Sequence, residues 1–290
     1  MISVIITSKN EPKTIGRAAQ AFLDEDYLGD KFEVIVIAPD KATQEAAKNT
    51  GVKVLEDTGK GKPIALNLAI QESRGDTLIF SDGEVWISQG AVKELLKNFE
   101  NGVVTGHPVV DMPTQDKFGF WQDSLIDRAD CIRKEKSSHH QFINLSGYLF
   151  AVKKDYLDNF KFPNNLLTED EYLSYYLWHQ GHKIAYAANA TVNVKFAKNY
   201  KDWLNQKVRT LGGSYQIPKE WKKNIAMRSF LRESKYGPSF LFTYGHSLKQ
   251  KYWVILLLFA RLHAWSKAFL SVRIFKKDAS VLWKRVESTK

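Results

Sequence analysis

The chain has 290 residues, 44% of them apolar and 26% charged, which is ordinary for a globular protein and long enough for a full core. A single cysteine, Cys131, excludes an internal disulfide and fits a reducing compartment. The net charge of +10 is uneven: residues 195–290 hold 21 Lys and Arg against 5 Asp and Glu, whereas residues 1–194 hold 21 against 27. The basic C-terminal third suits a polyanion, either a membrane surface or a nucleic acid, with a plain solvated face as the bland alternative. The opening "MISVIITSKNE" enters an apolar run with no charged leader, so a cytosol-facing protein is expected.

The β-branched run at 2–7 predicts a buried strand. Apolar spacing at Ile15, Ala18, Ala19, Phe22 and Leu23 predicts a helix within 14–26. A strand at 32–38, a helix at 43–51, a strand at 52–57, a helix at 62–75 and a strand at 76–82 follow. Such alternation predicts an open parallel sheet covered on both faces, with ligands at the carboxyl ends of its strands. Residues 7–11, 38–40, 59–62 and 82–84 occupy those ends. Neither GxGxxG after the first strand nor GxxxxGK[ST] is present, which argues against dinucleotide dehydrogenases and P-loop NTPases.

Two stretches concentrate carboxylates. "LIFSDGEVW" (78–86) ends a strand with Asp82 and Glu84 on either side of Gly83, whose small size allows close approach. Oxygens so placed suit a hard cation such as Mg²⁺ or Mn²⁺; the alternative is an acidic turn in water. "TEDEYLSYYLWHQG" (168–181) opens a helix with Thr168 and Glu171 in capping-box positions and closes it with Gly181. Capping leaves Glu169 and Asp170 without an assigned task. Ahead of both, "DTGKGKPIALN" (57–67) is a Gly- and Lys-rich turn entering a helix, where backbone N–H groups and Lys60 or Lys62 suit a diphosphate.

Taken in order, "VIITSKNEP", "GKPIALN", "FSDGE", "NLSGYLFAVKKDYL" (144–157) and "TEDEYLSYYLWHQGHKIAY" resemble the motifs of family 2 glycosyltransferases over roughly residues 2–216. The resemblance implies a GT-A fold, with a Rossmann-like, mostly parallel sheet flanked by helices. It also implies inverting transfer from a nucleotide sugar, UDP-sugars being favoured by family habit, to a glycan or lipid-linked acceptor. Thr7, Lys9, Asn10, Glu11, Asp40, Lys62, Asn67 and Asp82 would contact the donor, and Asp82 and Glu84 would hold Mn²⁺ or Mg²⁺. Ser146 and Gly147 would shape the acceptor site. Spacing alone does not choose between Glu169 and Asp170 as the base; the family pattern selects Asp170. "NQKVRTLGGSYQ" (205–216) is similar to the Q-x-x-R-W motif, matching at Gln206 and Arg209, with Thr210 in place of the tryptophan that stacks on the acceptor in processive polymerases; the resemblance implies that Gln206 and Arg209 join the catalytic group with Glu169 and Asp170, Arg209 and Lys62 adding positive charge where negative charge develops. That departure favours a single transfer. Relatives often carry an aspartate directly after the second strand to read the base; here Ala38 and Pro39 stand there and Asp40 follows.

The chain is expected to divide into residues 1–216 and a helical, basic, aromatic-rich extension at 217–290. In "KYWVILLLFARLHAWSKAFLSVRIFKK" (251–277) the unbroken apolar core, residues 252–260, is shorter than the ~20 residues a bilayer span takes. Trp253, Trp265 and the flanking cations suit an interfacial helix, so residues 225–277 are expected to contact the inner face of the plasma membrane. A helix packed on the sheet, or a dimer contact, is the alternative. The ending "VLWKRVESTK" is too aromatic for a plain tail. Rival readings are a nucleotidyltransferase, an inactive partner subunit and a nucleic-acid binder; the last leaves Asp82, Glu84 and Asp170 without a task.

Overall fold

The computed structural model describes residues 1–26, 32–111, 115–223, 225, 230–284 and 288. The remainder of the expected extension, residues 224, 226–229, 285–287, 289 and 290, lies outside the described residues.

Four parallel strands build the first half. They are β1 (Ile2–Thr7), β2 (Phe32–Ala38), β3 (Lys53–Glu56) and β4 (Thr77–Asp82), in the spatial order β3-β2-β1-β4. Their crossovers are α1 (Ile15–Leu23), α2 (Lys41–Lys48) and α3 (Lys62–Glu72). β1 shows why the run is largely apolar. Val4 and Ile6 point into one core layer, with Ile15, Ala19 and Phe22 of α1, and Ile5 points into the other, with Ala65, Leu66 and Ala69 of α3. Side chains are buried on both faces, so a polar residue there needs a partner: the buried Ser3 hydroxyl donates to Glu33 Oε1 at 2.7 Å.

The second half is mixed. β5 (Trp86–Ile87), α4 (Ala91–Leu96), β6 (Val103–Val110), α5 (Lys117–Ser138), β7 (Leu149–Lys153), α6 (Glu169–His179) and β8 (Ala185–Val194) follow in the chain. The full sheet reads β3-β2-β1-β4-β7-β6-β8-β5. β7 runs antiparallel to both β4 and β6, and the two-residue β5 runs antiparallel to β8 at the edge. α6 ends as the sequence indicates. Gly181 has φ +88°, its N–H reaches Trp178 O and the His182 N–H reaches Leu177 O, each at 3.0 Å, which is a Schellman stop.

A third core is helical. It joins α5 to α7 (Tyr200–Gly213), α8 (Phe230–Tyr244) and α9 (Leu248–Phe269) through Trp121, Trp203, Val254, Leu257 and Trp265. α9 thus packs on helices rather than on the sheet. It also runs further than its apolar core suggests, continuing through a π-turn (Leu270–Ile274) as 27 residues of helix. Two charged or polar interruptions are absorbed internally: Arg261 pairs with Glu233 of α8, and the Tyr200 hydroxyl bonds His263 Nδ1 at 2.8 Å.

Candidate active site

In the β1–β4 register Thr7 lies opposite Asp82, so both strands end at one level. The Thr7 hydroxyl donates to Asp82 Oδ1 at 3.1 Å, and Lys62 Nζ, at the start of α3, reaches the same oxygen at 2.6 Å. Burial opposes the Lys62 charge, yet the Asp82, Glu169 and Asp170 carboxylates hold its pKa well above the usual lysine range. One buried cation therefore senses acids from two distant parts of the chain.

Gly83 allows the close approach its size suggests, but the neighbour is protein. A Cβ there would meet Ser8 Oγ at 2.3 Å, so only glycine lets the β4 turn close on the β1 turn. Ser8 in turn donates to Glu11 Oε2 at 2.8 Å. Asn10 holds φ +56°, a left-handed conformation that asparagine tolerates, and its N–H donates to Asp40 Oδ2 at 2.6 Å. Asp40 Oδ1 caps α2 through the Thr43 N–H and hydroxyl. Burial would raise the Asp40 pKa; the bonds from Thr43 and Asn10 outweigh it and hold the carboxyl below its ordinary range. Asp40 therefore shapes the turn that carries Asn10. The Lys9 ammonium reaches Gly59 O at 3.3 Å, tying the β1 and β3 turns together. Asn67 stands apart from this group: its amide bonds both backbone groups of Phe162 at 2.9 Å and clamps the segment that leads into α6.

At the head of α6 the expected capping box does not form. The Thr168 side chain caps no backbone N–H and turns its hydroxyl toward Glu171. Gly213 of α7 packs against it so tightly that a Cβ would lie 1.9 Å from Thr168 Oγ1. Glu169 is buried, 7% exposed, and its Oε1 has no hydrogen-bond partner among the described residues. Burial pushes its pKa up, Lys62 opposes, and Asp170 and Asp82 add to the rise. Asp170 is half-buried, and its Oδ2 accepts the Gly147 N–H at 3.0 Å. A Cβ on Gly147 would press on that oxygen at 3.2 Å. The Ser146 N–H donates to Thr105 Oγ1 at 2.8 Å, fixing the strand entry beside it.

Tyr148, inside a quoted motif but not singled out from the sequence, marks where the acids meet. Burial, then the Glu84, Asp82 and Asp170 carboxylates, push its pKa far up, with Arg209 acting against them. Its carbonyl accepts from Ser81 Oγ at 2.9 Å, which ties it to the end of β4. Gln206, on α7, is buried with Oε1 unpartnered. Arg209 stacks on Trp283 at 4.4 Å from the ring centroid, which gives the aromatic C-terminal stretch a task that its sequence left open. That stretch is pinned where the Ala279 N–H donates to Asn165 Oδ1 at 2.6 Å, beside the approach to α6.

Among the described residues no three His, Cys, Asp or Glu side chains are grouped to hold a metal ion. The hard-oxygen pair Asp82 and Glu84 nevertheless fits a divalent cation completed by substrate phosphates, since both protein bonds to the Asp82 carboxylate fall on Oδ1. A surface cleft of about 550 Å³ lies away from these residues, among Arg74, Asp76, Lys153, Lys154 and Asp158, where charges of both signs mix.

Comparison with known proteins agrees with this geometry. The family described as "Glycosyltransferase like family 2" matches residues 1–213. The probable glycosyltransferase YdaM of Bacillus subtilis (strain 168) is 22% identical over 233 residues, 74% of this chain and 56% of that protein, so this chain spans little more than half of that relative. Among solved structures, the mannosyltransferase PcManGT from Pyrobaculum calidifontis, in complex with GDP-Man and Mn²⁺, aligns with a TM-score of 0.66 at 18% identity, covering 97% of this chain and 87% of that one. Glucosyl-3-phosphoglycerate synthase from Mycobacterium tuberculosis, with Mn²⁺ and UDP-glucose, aligns with a TM-score of 0.54 at 16% identity over 76% of this chain and 80% of that one. These likenesses establish the mixed α/β sheet as a GT-A fold, and by its family match the chain belongs to glycosyltransferase family 2.

Proposed function

We propose that the protein transfers a hexosyl group, with inversion, from a nucleotide sugar to an acceptor hydroxyl or phosphate. The observation that supports this reading is that Asp82 and Glu84, at the end of a parallel strand, and Asp170, at the head of α6, all face Tyr148, while Asp82 and Asp170 also face Lys62. The β1 turn with Thr7, Lys9, Asn10 and Glu11, together with Asp40, would line the nucleotide. Lys62 would face the diphosphate, where negative charge grows as the bond to the sugar breaks. A Mn²⁺ or Mg²⁺ ion at Asp82 and Glu84 would neutralise the departing diphosphate. Asp170 would take the acceptor proton, because it keeps an open side while Glu169 is sealed in beside Lys62. Ser146, Gly147, Gln206 and Arg209 border the acceptor side.

The donor base is left to experiment, since solved relatives carry both GDP- and UDP-sugars. A panel of UDP-, GDP- and dTDP-sugars with Mn²⁺ or Mg²⁺ should yield nucleoside diphosphate from one member. Pyrophosphate as product would point to a nucleotidyltransferase, and silence across the panel to an inactive partner subunit.

The same proposal keeps the division near residue 216 and places the extension on the cytoplasmic leaflet of the plasma membrane. Support comes from α9. Leu248, Tyr252, Ile255, Phe259 and Leu262 follow helical spacing on its outer face and are all exposed, Phe259 at 68% and Leu248 at 87%. Lys249, Lys251, Lys267, Lys276 and Lys277 flank them, the signature of an interfacial helix on anionic lipid. By length and composition alone α9 also satisfies a bilayer span, but its inner face is committed to α7. Co-sedimentation with phosphatidylglycerol vesicles at low salt should pellet the protein, and Ile255→Ser with Phe259→Ser should release it. Binding unchanged by that pair would refer the attraction to charge alone.

A further inference from the structure

Just ahead of β7, three successive backbone N–H groups each end on a side-chain oxygen. The Leu145 N–H donates to Ser174 Oγ of α6 at 2.8 Å, and the Ser146 N–H to Thr105 Oγ1 of β6 at 2.8 Å. The Gly147 N–H donates to Asp170 Oδ2 of α6 at 3.0 Å. The segment is thus fastened alternately to a helix and to the sheet. Thr105 and Ser174 are fully buried, so their hydroxyls supply partners that water cannot. Each hydroxyl also donates: Thr105 to Leu149 O at 3.3 Å, and Ser174 to Asp170 O, one turn back along α6. Ser174 therefore binds the carbonyl of Asp170 and, through Leu145, the same short segment that binds its carboxylate.

The sheet is irregular at the same place. Thr105 is the last residue of β6 to pair with β7, opposite Phe150, and the pairing of β6 with β8 shifts register between Thr105 and His107. Gly106 sits in the shift, where a Cβ would lie 2.6 Å from Ala190 O. Irregularities of this kind re-aim a side chain beside a site. Here the ladder to β7 stops and the Thr105 hydroxyl continues the contact through Ser146. We infer that Thr105 and Ser174 are positioning residues for Asp170. Through the 145–147 backbone they hold the Gly147 N–H on Oδ2, which leaves Oδ1 to meet the acceptor hydroxyl. This rests on the transferase reading above, with Asp170 as its base, and adds the residues that aim it. A base must come within about 2.6–3.2 Å of the proton it takes, and a misplacement of about 1 Å can cost about 10²-fold in rate.

The test is a double-mutant cycle on the full chain, with the nucleotide sugar that the donor panel selects and nucleoside diphosphate release as readout. Thr105→Val keeps the side-chain shape and removes the hydroxyl. It should lower kcat by about tenfold or more while the donor KM stays within about twofold. Thr105→Ser, which restores the oxygen, should recover most of the loss. With Asp170→Asn already in place, Thr105→Val should change turnover by less than about twofold, because the group it aims no longer takes a proton. Ser174→Ala, a mild change within a helix, is read in the same two backgrounds and serves alone if Thr105→Val does not fold. An equal loss in both backgrounds would overturn the positioning role and leave Thr105 and Ser174 as packing residues. A loss that falls on the donor KM, or a Thr105→Ser variant as impaired as Thr105→Val, would overturn it too. Near-native turnover of Asp170→Asn alone would remove the base assignment and the positioning with it, a result distinct from an equal loss in both backgrounds.

Discussion

Asp170→Asn is expected to lower turnover by ~10²- to 10⁴-fold, the usual contribution of a general base, while donor affinity stays near the native value. The reasoning is local. An asparagine keeps an oxygen for the Gly147 N–H, so the head of α6 retains its anchor. It loses only the ability to accept a proton. Lys62 still faces Asp82 and Glu169, so the donor side keeps its charge balance. Single-turnover kinetics beside a donor titration separate the two effects. Near-native turnover in the variant would place the base elsewhere, with Glu169 the next candidate.

The second large effect belongs to the strand-end pair. Asp82→Ala combined with Glu84→Ala should abolish metal-stimulated donor binding, since two carboxylates are what the protein offers a cation there. Removing Asp82 also strands Lys62, whose side chain is 20% exposed and whose ammonium bonds Asp82 at 2.6 Å. Leaving a largely buried cation unpaired costs about 3–5 kcal/mol, so part of the loss would be misfolding. Asp82→Asn with Glu84→Gln separates the two: the Asn oxygen can still accept from Lys62, yet the site has lost its negative charge. Calorimetric titration with Mn²⁺ and donor reads the outcome. Full activity of the native protein in excess chelator would end the metal assignment.

The parallel half of the sheet was legible because burial on both faces keeps strands 2–7, 32–38 and 77–82 mostly apolar, the buried Ser3, Glu33 and Ser81 being hydrogen-bonded, and helical spacing fills the gaps. The mixed half was not. β5 is two residues long and pairs with β8 roughly a hundred residues later, a contact no local pattern announces. The candidate acids were visible as strand-end and helix-start residues, but their partners were not. Asp82 meets Thr7 through strand register and Lys62 from the start of α3, and Ser8 fills the space beside Gly83 through a turn from another strand. The capping box failed for a tertiary reason: the Thr168 hydroxyl lies against the backbone of Gly213 in α7 and toward Glu171 instead of the helix N–H groups. Trp283 was visible only as an oddity, because the arginine it covers lies 74 positions upstream.

The contact between Gly213 and Thr168 has a mechanical corollary. Backbone pressed directly on a side chain leaves no compressible layer, so any tilt of α7 is felt at once by the first turn of α6. Its other flank packs on α9 in the helical core, so α7 links the outer helices to the turn that carries Asp170.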